Sequence, residues 1–111
     1  MTKVVLHLFH ADPASLKTVP TLAERMNSIG AAELEVFVFG PAEQMLADPG
    51  QTEFNSAIDE LIKGGSAVTA CIGLAQQMGA EDALRARGIA LESAATAFPR
   101  FAAEGAAVIS F

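Results

Sequence analysis

Apolar residues along this chain follow two alternating patterns: short continuous runs, and stretches in which they recur every three to four positions. The continuous runs are typical of strands that are buried on both faces, as in a parallel sheet. They predict strands over residues 4–9, 34–39, 66–70, 89–92 and 106–111.

The stretches with helical spacing lie between these strands, and residues typical of helix ends flank them. Asp12-Pro13 places a capping residue before a proline at the first helical position, and Gly30 supplies the stop. Pro20 removes a hydrogen bond inside this helix, which predicts a kink or a break. Thr52 is a candidate cap for a later helix, and Pro99 is expected in the first turn of the last one.

Strand and helix patterns alternate along the whole chain, without repeats, linkers or low-complexity segments. This order predicts a mainly parallel sheet with helices on both faces. We therefore expect a single domain over residues 1–111, with an α/β fold of three α/β/α layers around a five-stranded sheet.

Charge and composition narrow the classes of partner. The 111 residues carry a net charge of −6, with no run of Lys or Arg and no Trp or Tyr. Nucleic acids need clustered cations or exposed aromatic side chains, and anionic membranes need clustered cations, so neither is an expected partner. No apolar stretch approaches the ~20 residues of a membrane span. The hydrophobic share of 51% is high for so small a chain, which favours a homo-oligomer.

The cysteine content bears on the compartment. Cys71 is the only cysteine, and the N-terminal residues enter the first strand without a signal-peptide pattern. A single unpaired thiol is typical of a reducing compartment, so we expect a cytoplasmic protein.

Common motifs of α/β proteins are missing from the sequence. The turn after the first strand has no glycine-rich dinucleotide signature, no Walker loop is present, and Leu74 stands where a dithiol motif needs a second cysteine. A cysteine phosphatase needs an arginine where Gln77 stands. His7 and His10 lie three apart on an extended segment, so their side chains face opposite ways and predict no metal site. No cofactor is expected.

The remaining candidate for chemistry is Cys71, at the junction of the third strand and the next helix. Ligands of open α/β sheets bind beyond the carboxyl ends of the strands, where backbone N–H groups at the start of a helix can stabilise a thiolate. The other interpretation is a packed thiol, because free cysteines are among the most buried residues. No charged residue adjoins Cys71 in the sequence.

Three further residues are candidates for binding a ligand at the same edge of the sheet. His10 ends the first strand and either orients a ligand or lies in an exposed loop. Gly40 and Pro41 end the second strand, and either let the backbone approach a ligand or only begin a turn.

Two segments resemble the DsrE/DsrF-like (DsrEFH-like) proteins: residues 65–79, with Cys71 before a helix that ends at Gly79, and residues 91–109. The opening residues 3–7 and the turn at 38–41 fit as well. The resemblance implies a compact α/β/α fold that assembles as a dimer, trimer or hexamer. Members with a cysteine at the position of Cys71 include sulfur-relay subunits. Small stand-alone relatives often carry an Asn-Thr pair where this chain has Gly73 and Leu74.

The resemblance implies a sulfurtransferase-like activity, in which Cys71 accepts a sulfane sulfur as a persulfide and passes it to an acceptor thiol. A sulfur donor or acceptor protein would then be a partner. The alternative is a non-catalytic, oligomeric small-ligand or protein-interaction module in which Cys71 is packed. A third hypothesis is a redox-sensing thiol that forms a sulfenic acid.

Overall fold

Five strands form one parallel sheet in the computed structural model, which describes residues 2–111. Met1, the first residue of the predicted domain, lies outside the described residues. The elements are β1 (Lys3–Leu8), α1 (Pro13–Ile29), β2 (Glu33–Val38), α2 (Pro41–Leu46), α3 (Thr52–Lys63), β3 (Ala67–Cys71), α4 (Ile72–Gln77), α5 (Glu81–Ala86), β4 (Ala90–Glu92), α6 (Ala94–Ala103) and β5 (Ala107–Ser110).

The strand order across the sheet is β4-β3-β2-β1-β5, and every neighbouring pair is parallel. β1 is flanked by β2 on one side and by β5 on the other, in the registers Leu6↔Val36 and Leu6↔Ile109. The predicted α/β class, with helices on both faces of a parallel sheet, is confirmed.

Side chains of each strand alternate between two apolar layers, as the period of two requires. One layer packs beneath α1 to α5 and includes Leu6, Val36 and Val68. The opposite layer packs beneath α6 and includes Phe37 and Phe101. A single helix therefore covers the second face, and all the residues of the edge strand β5 are exposed.

The ends of the helices follow capping chemistry in part. The Asp12 carboxylate accepts a hydrogen bond from the Ser15 N–H at 3.0 Å, and Gly30 ends α1 with a φ of 64°. α1 continues through Pro20, so of the predicted kink or break the break is wrong, and the kink stays a prediction. Thr52 is already helical and Gln51 precedes it, while Pro99 lies inside α6, beyond its first turn.

No helix within residues 2–111 combines the length and the apolar character needed to cross a bilayer.

Candidate functional site

Cys71 is the last residue of β3 and the N-cap of α4, so its thiol lies at the carboxyl edge of the sheet as predicted. Its φ of −73° and ψ of 122° are extended. Cys71 faces the layer beneath α6, where it packs with Phe37 and Phe101, and it is only 8% exposed. The thiol is therefore enclosed by apolar side chains and has limited access to solvent.

A carboxyl group lies directly against the backbone of this cysteine. Glu43, on α2, is 0% exposed, and its Oε1 accepts a hydrogen bond from the Cys71 N–H at 3.0 Å. Within residues 2–111 its Oε2 has no hydrogen-bond partner. Burial raises the pKa of the Glu43 carboxyl to about 7, although the hydrogen bond from Cys71 opposes that shift. The Glu43 carboxyl, which is bonded to the backbone of Cys71, therefore takes up or releases its proton near neutral pH.

The contact with Glu43 changes the expected electrostatics of Cys71. The sequence predicts that N–H groups at the start of α4 stabilise a thiolate. The N–H of Cys71 itself is already taken by the Glu43 carboxyl. The donors that a capping side chain uses are the N–H groups of Gly73 and Leu74, and the Cys71 side chain accepts no capping hydrogen bond from either.

Gly40 and Pro41 form the start of α2, as N-cap and first helical residue. Gly40 has a φ of 62° and a ψ of −146°, a conformation that only glycine adopts readily. A Cβ at this position would overlap the ring of Phe9. Gly40 is therefore required by the turn that carries Glu43 to the sheet edge, and its role toward a ligand stays a prediction.

His10 follows β1 at the same edge and is exposed. Its N–H donates to the Phe111 carbonyl at 3.1 Å, and its ring lies edge-on to Phe9 at 5.3 Å between centroids. The Phe9 ring thus contacts His10 and lies against Gly40. Cys71 contacts α2 through its hydrogen bond to Glu43. The four predicted site residues share one edge of the sheet, and their roles in binding or catalysis stay predictions.

Charged side chains lie closer to Cys71 than the sequence suggests. Glu92, on β4, is the register partner of Cys71, and it forms an ion pair with Arg100 at 3.0 Å. Arg100 also pairs with the buried Glu35 at 2.7 Å, and Lys3 pairs with Glu35 at 3.2 Å. The ion pairs of Arg100 link α6 to β2 and β4, on the face of the sheet where the thiol packs.

Glu35 is the buried centre of that network. Burial alone would raise the pKa of its carboxyl, but hydrogen bonds from Arg100, Thr69 and Lys3 outweigh the burial and leave the pKa lowered. Glu35 is thus ionised and fully paired. Glu43 differs, because no charged side chain pairs with it in the described part of the chain.

His7 occupies an aromatic setting on the face that α6 covers. Its Nδ1 lies 2.9 Å from the Ser110 Oγ, and its ring meets Phe98 edge-on at 5.1 Å between centroids. Burial lowers the pKa of His7, and the nearby His10 adds to that shift. His7 therefore joins β1 to β5 as a neutral ring.

No metal cluster accompanies this edge: residues 2–111 hold no group of three or more His, Cys, Asp or Glu side chains suited to an ion. A groove of about 860 Å³ runs between α1 and α3 and is lined by Leu16, Pro20 and Phe54 among others. It lies against the helices on the opposite face from α6 and includes none of the predicted site residues.

Comparison with known proteins supports the fold and leaves the chemistry open. No family model matches the chain, and no curated protein matches it. A conserved protein of unknown function from Bacteroides thetaiotaomicron has a similar structure, with a TM-score of 0.83 and 16% identity over 98% of this chain and 94% of that one. A protein of unknown function from Methanobacterium thermoautotrophicum has a TM-score of 0.73 and 22% identity, with 100% of each chain covered. At these identities the likeness shows a shared fold.

Glu43 is the main site residue that sequence reasoning missed. It is 28 positions away from Cys71, and the six residues of α2 are too few to show a buried face by periodicity. The available signal was its position, three residues after Gly40 in the first turn of a helix that follows a strand. A carboxylate there points back toward the carboxyl edge of the sheet.

Proposed function

We propose that this protein is a sulfur carrier of the DsrE/DsrF-like type, in which Cys71 holds a persulfide. The observation that supports this function best is a thiol at the carboxyl end of a parallel strand whose own N–H is held by a buried, ionisable carboxyl group. Ligands of open parallel α/β sheets bind at this edge of the sheet.

The proposed reaction begins with a hydropersulfide donor, R–S–SH. The Cys71 thiolate attacks the outer sulfur, the bond between the two donor sulfurs breaks, and its electron pair leaves with R–S⁻. The thiol proton given up by Cys71 balances the proton that the leaving thiolate takes up. A second thiolate then attacks the outer sulfur of the Cys71 persulfide and regenerates the Cys71 thiolate.

The apolar surroundings of Cys71 support a carrier. Phe37 and Phe101 pack around the thiol and limit its exposure to 8%. An enclosed persulfide is shielded from water and from competing thiols, so the sulfur is kept for its acceptor. Donor and acceptor are then thiol compounds or proteins that bind at the edge formed by His10, Gly40 and Pro41.

We further propose that the protein acts in the cytoplasm as a homo-oligomer, whether dimer, trimer or hexamer. Its lone unpaired thiol suits a reducing compartment. Val108 and Ile109, on the edge strand β5, are 39% and 48% exposed, which supports burial against a second copy. Light scattering tests this, and a mass of 11.5 kDa at micromolar concentration would contradict it.

The sulfur-carrier function is tested by intact-mass spectrometry after incubation with glutathione persulfide. We expect the native protein to gain the mass of one sulfur atom and to lose it on addition of an acceptor thiol. Cys71→Ser should gain nothing, whereas Met26→Leu, which removes a sulfur atom from α1, should load as the native protein does. Absence of sulfur on the native protein, or equal loading of Cys71→Ser, rejects the proposal.

The second candidate is a non-catalytic small-ligand or interaction module. The observation in its favour is the close packing of Cys71, together with the groove between α1 and α3, which is remote from the thiol. This candidate predicts no sulfur uptake, and alkylation of Cys71 only once the protein unfolds.

A further inference from the structure

The burial of Glu43 is unfavourable for the free energy of folding. Its side chain is 0% exposed, and its only hydrogen bond in the described residues is the one that Oε1 accepts from Cys71, since Oε2 has no partner. Burying a carboxyl group without an ion pair or a full set of hydrogen bonds is unfavourable. Groups of this kind are concentrated at functional sites.

Among the described residues, only Cys71 forms a hydrogen bond with the Glu43 carboxyl, and no side chain forms an ion pair with it. Neither α2 nor α4 carries another ionisable side chain. The ionisable groups of the surrounding elements have other partners or are exposed: His7 with Ser110, His10 exposed, Asp48 with the Gly50 N–H, Glu53 exposed, Asp59 with Arg87, Glu60 with Lys63, Glu81 with Arg85, Asp82 exposed, and Glu92 with Arg100. Arg87 also donates to the Leu46 carbonyl at the end of α2 at 2.8 Å, and it forms no ion pair with Glu43.

The hydrogen bond to the Cys71 backbone sets an upper limit on the distance from Glu43 to the Cys71 thiol. Glu43 Oε1 lies 3.0 Å from the Cys71 nitrogen. Because only two carbon atoms separate that nitrogen from Sγ, standard bond lengths keep Oε1 within roughly 7 Å of the sulfur. Two negative charges at this range in a buried site disfavour each other.

We infer that Glu43 is a positioning residue for Cys71, which fixes the cysteine amide and sets by its own protonation state how readily the thiol ionises. A protonated Glu43 leaves the thiolate unopposed, whereas an ionised Glu43 disfavours it by charge repulsion. This inference rests on the proposed function, since a sulfur carrier needs control over its thiolate. Since the pKa of Glu43 is raised to about 7, the control operates near neutral pH.

The test measures the ionisation of Cys71 by the ultraviolet absorbance of its thiolate. The chain has a single Cys and no Tyr or Trp, so no tyrosinate or indole absorbance overlaps this signal, and Cys71→Ser serves as the blank for the remaining absorbance. In Glu43→Gln we expect about tenfold more thiolate than in the native protein at a pH above about 7, where the native Glu43 is ionised, and still below the midpoint of the thiol titration, because a neighbouring negative charge is gone. Glu53→Gln removes an exposed carboxylate instead and should leave the titration unchanged.

A second measurement keeps Glu43 in place and therefore does not depend on how Glu43→Gln folds. Cys71 is alkylated with iodoacetamide, which adds a neutral group, or with iodoacetate, which adds an anionic one. By linkage, carbon NMR should show the Glu43 carboxyl titrating at higher pH beside the anionic group. Equal midpoints in the two adducts, or equal thiolate titrations of native protein and Glu43→Gln, would overturn the inference.

Neither measurement involves sulfur transfer. A protein that fails to take up sulfur can still show the coupling of Glu43 and Cys71, and a protein that loads sulfur can lack the coupling. The two outcomes are therefore read separately.

Discussion

Replacing Glu43 with glutamine should remove a pH-dependent loss of stability from this protein. Burial raises the pKa of the Glu43 carboxyl from the ordinary 4.5 to about 7, so the folded state favours the protonated form. The stability that this group contributes is fully present below about pH 4.5 and is lost as the pH rises to about 7. Glutamine has nearly the same shape and no such equilibrium.

The magnitude follows from the same two values. Each pKa unit corresponds to about 1.4 kcal/mol, so moving the carboxyl from 4.5 to about 7 represents about 3 kcal/mol of unfolding free energy. Roughly a quarter of that amount is already lost at about pH 5, which leaves between about 2 and 3 kcal/mol to be lost between about pH 5 and about pH 8.5. This is a large fraction of the stability of a small domain.

Urea unfolding at these two pH values measures the effect as a difference between the native protein and Glu43→Gln. The difference cancels other titrating groups, such as His7, whose lowered pKa gives stability that is lost as the pH falls. We expect the variant to gain between about 2 and 3 kcal/mol of unfolding free energy relative to the native protein from the lower to the higher pH, with unchanged m-values. A difference that stays constant across this range would refute the reasoning, whatever its size.

Two further predictions concern the frame around the site, and urea unfolding checks both. Gly40→Ala should lose about 3 kcal/mol, since φ is 62° and the added Cβ overlaps a neighbouring ring, whereas Gly30→Ala has open space and should lose about 1 kcal/mol; equal losses would contradict this account. Arg100→Met leaves the buried Glu35 with weaker pairing and should cost about 2 kcal/mol, against under about 0.5 kcal/mol for Arg85→Met at an exposed pair. A smaller loss for Arg100→Met than for Arg85→Met would oppose a structural role for the network.

The regular elements of this fold could be predicted because their signals are local. The apolar run at residues 4–9 and the helical spacing up to Gly30 each depend on neighbours a few positions away. The continuation of α1 through Pro20 could not be predicted in this way because it depends on packing: Pro20 is buried against the core. The Thr21 hydroxyl also donates to the Lys17 carbonyl at 2.8 Å in the same turn.

The candidate site could be predicted only in part, because its contacts are distant in the sequence. The position of Cys71 follows from the strand that precedes it. The hydrogen bond from Cys71 to Glu43 spans 28 positions, and the ion pair between Arg100 and Glu35 spans 65. The spatial order of the strands differs from their order in the sequence, and no periodic pattern of residues indicates which side chains meet across them. These two contacts could therefore not be predicted from the sequence.

The pairing of β1 with β5 has a consequence for how the chain folds. β1 pairs with β2 on one side and with β5 on the other. The pairing with β5 places His7 beside Ser110, a residue about a hundred positions away in the sequence. Contacts of such long range are slow to form, so refolding should lag behind that of helical bundles of the same size. During synthesis one edge of β1 stays unpaired until residues 107–110 have emerged. In that interval the open edge is available to a strand of another nascent chain, which makes it the place where misassembly of this protein would begin.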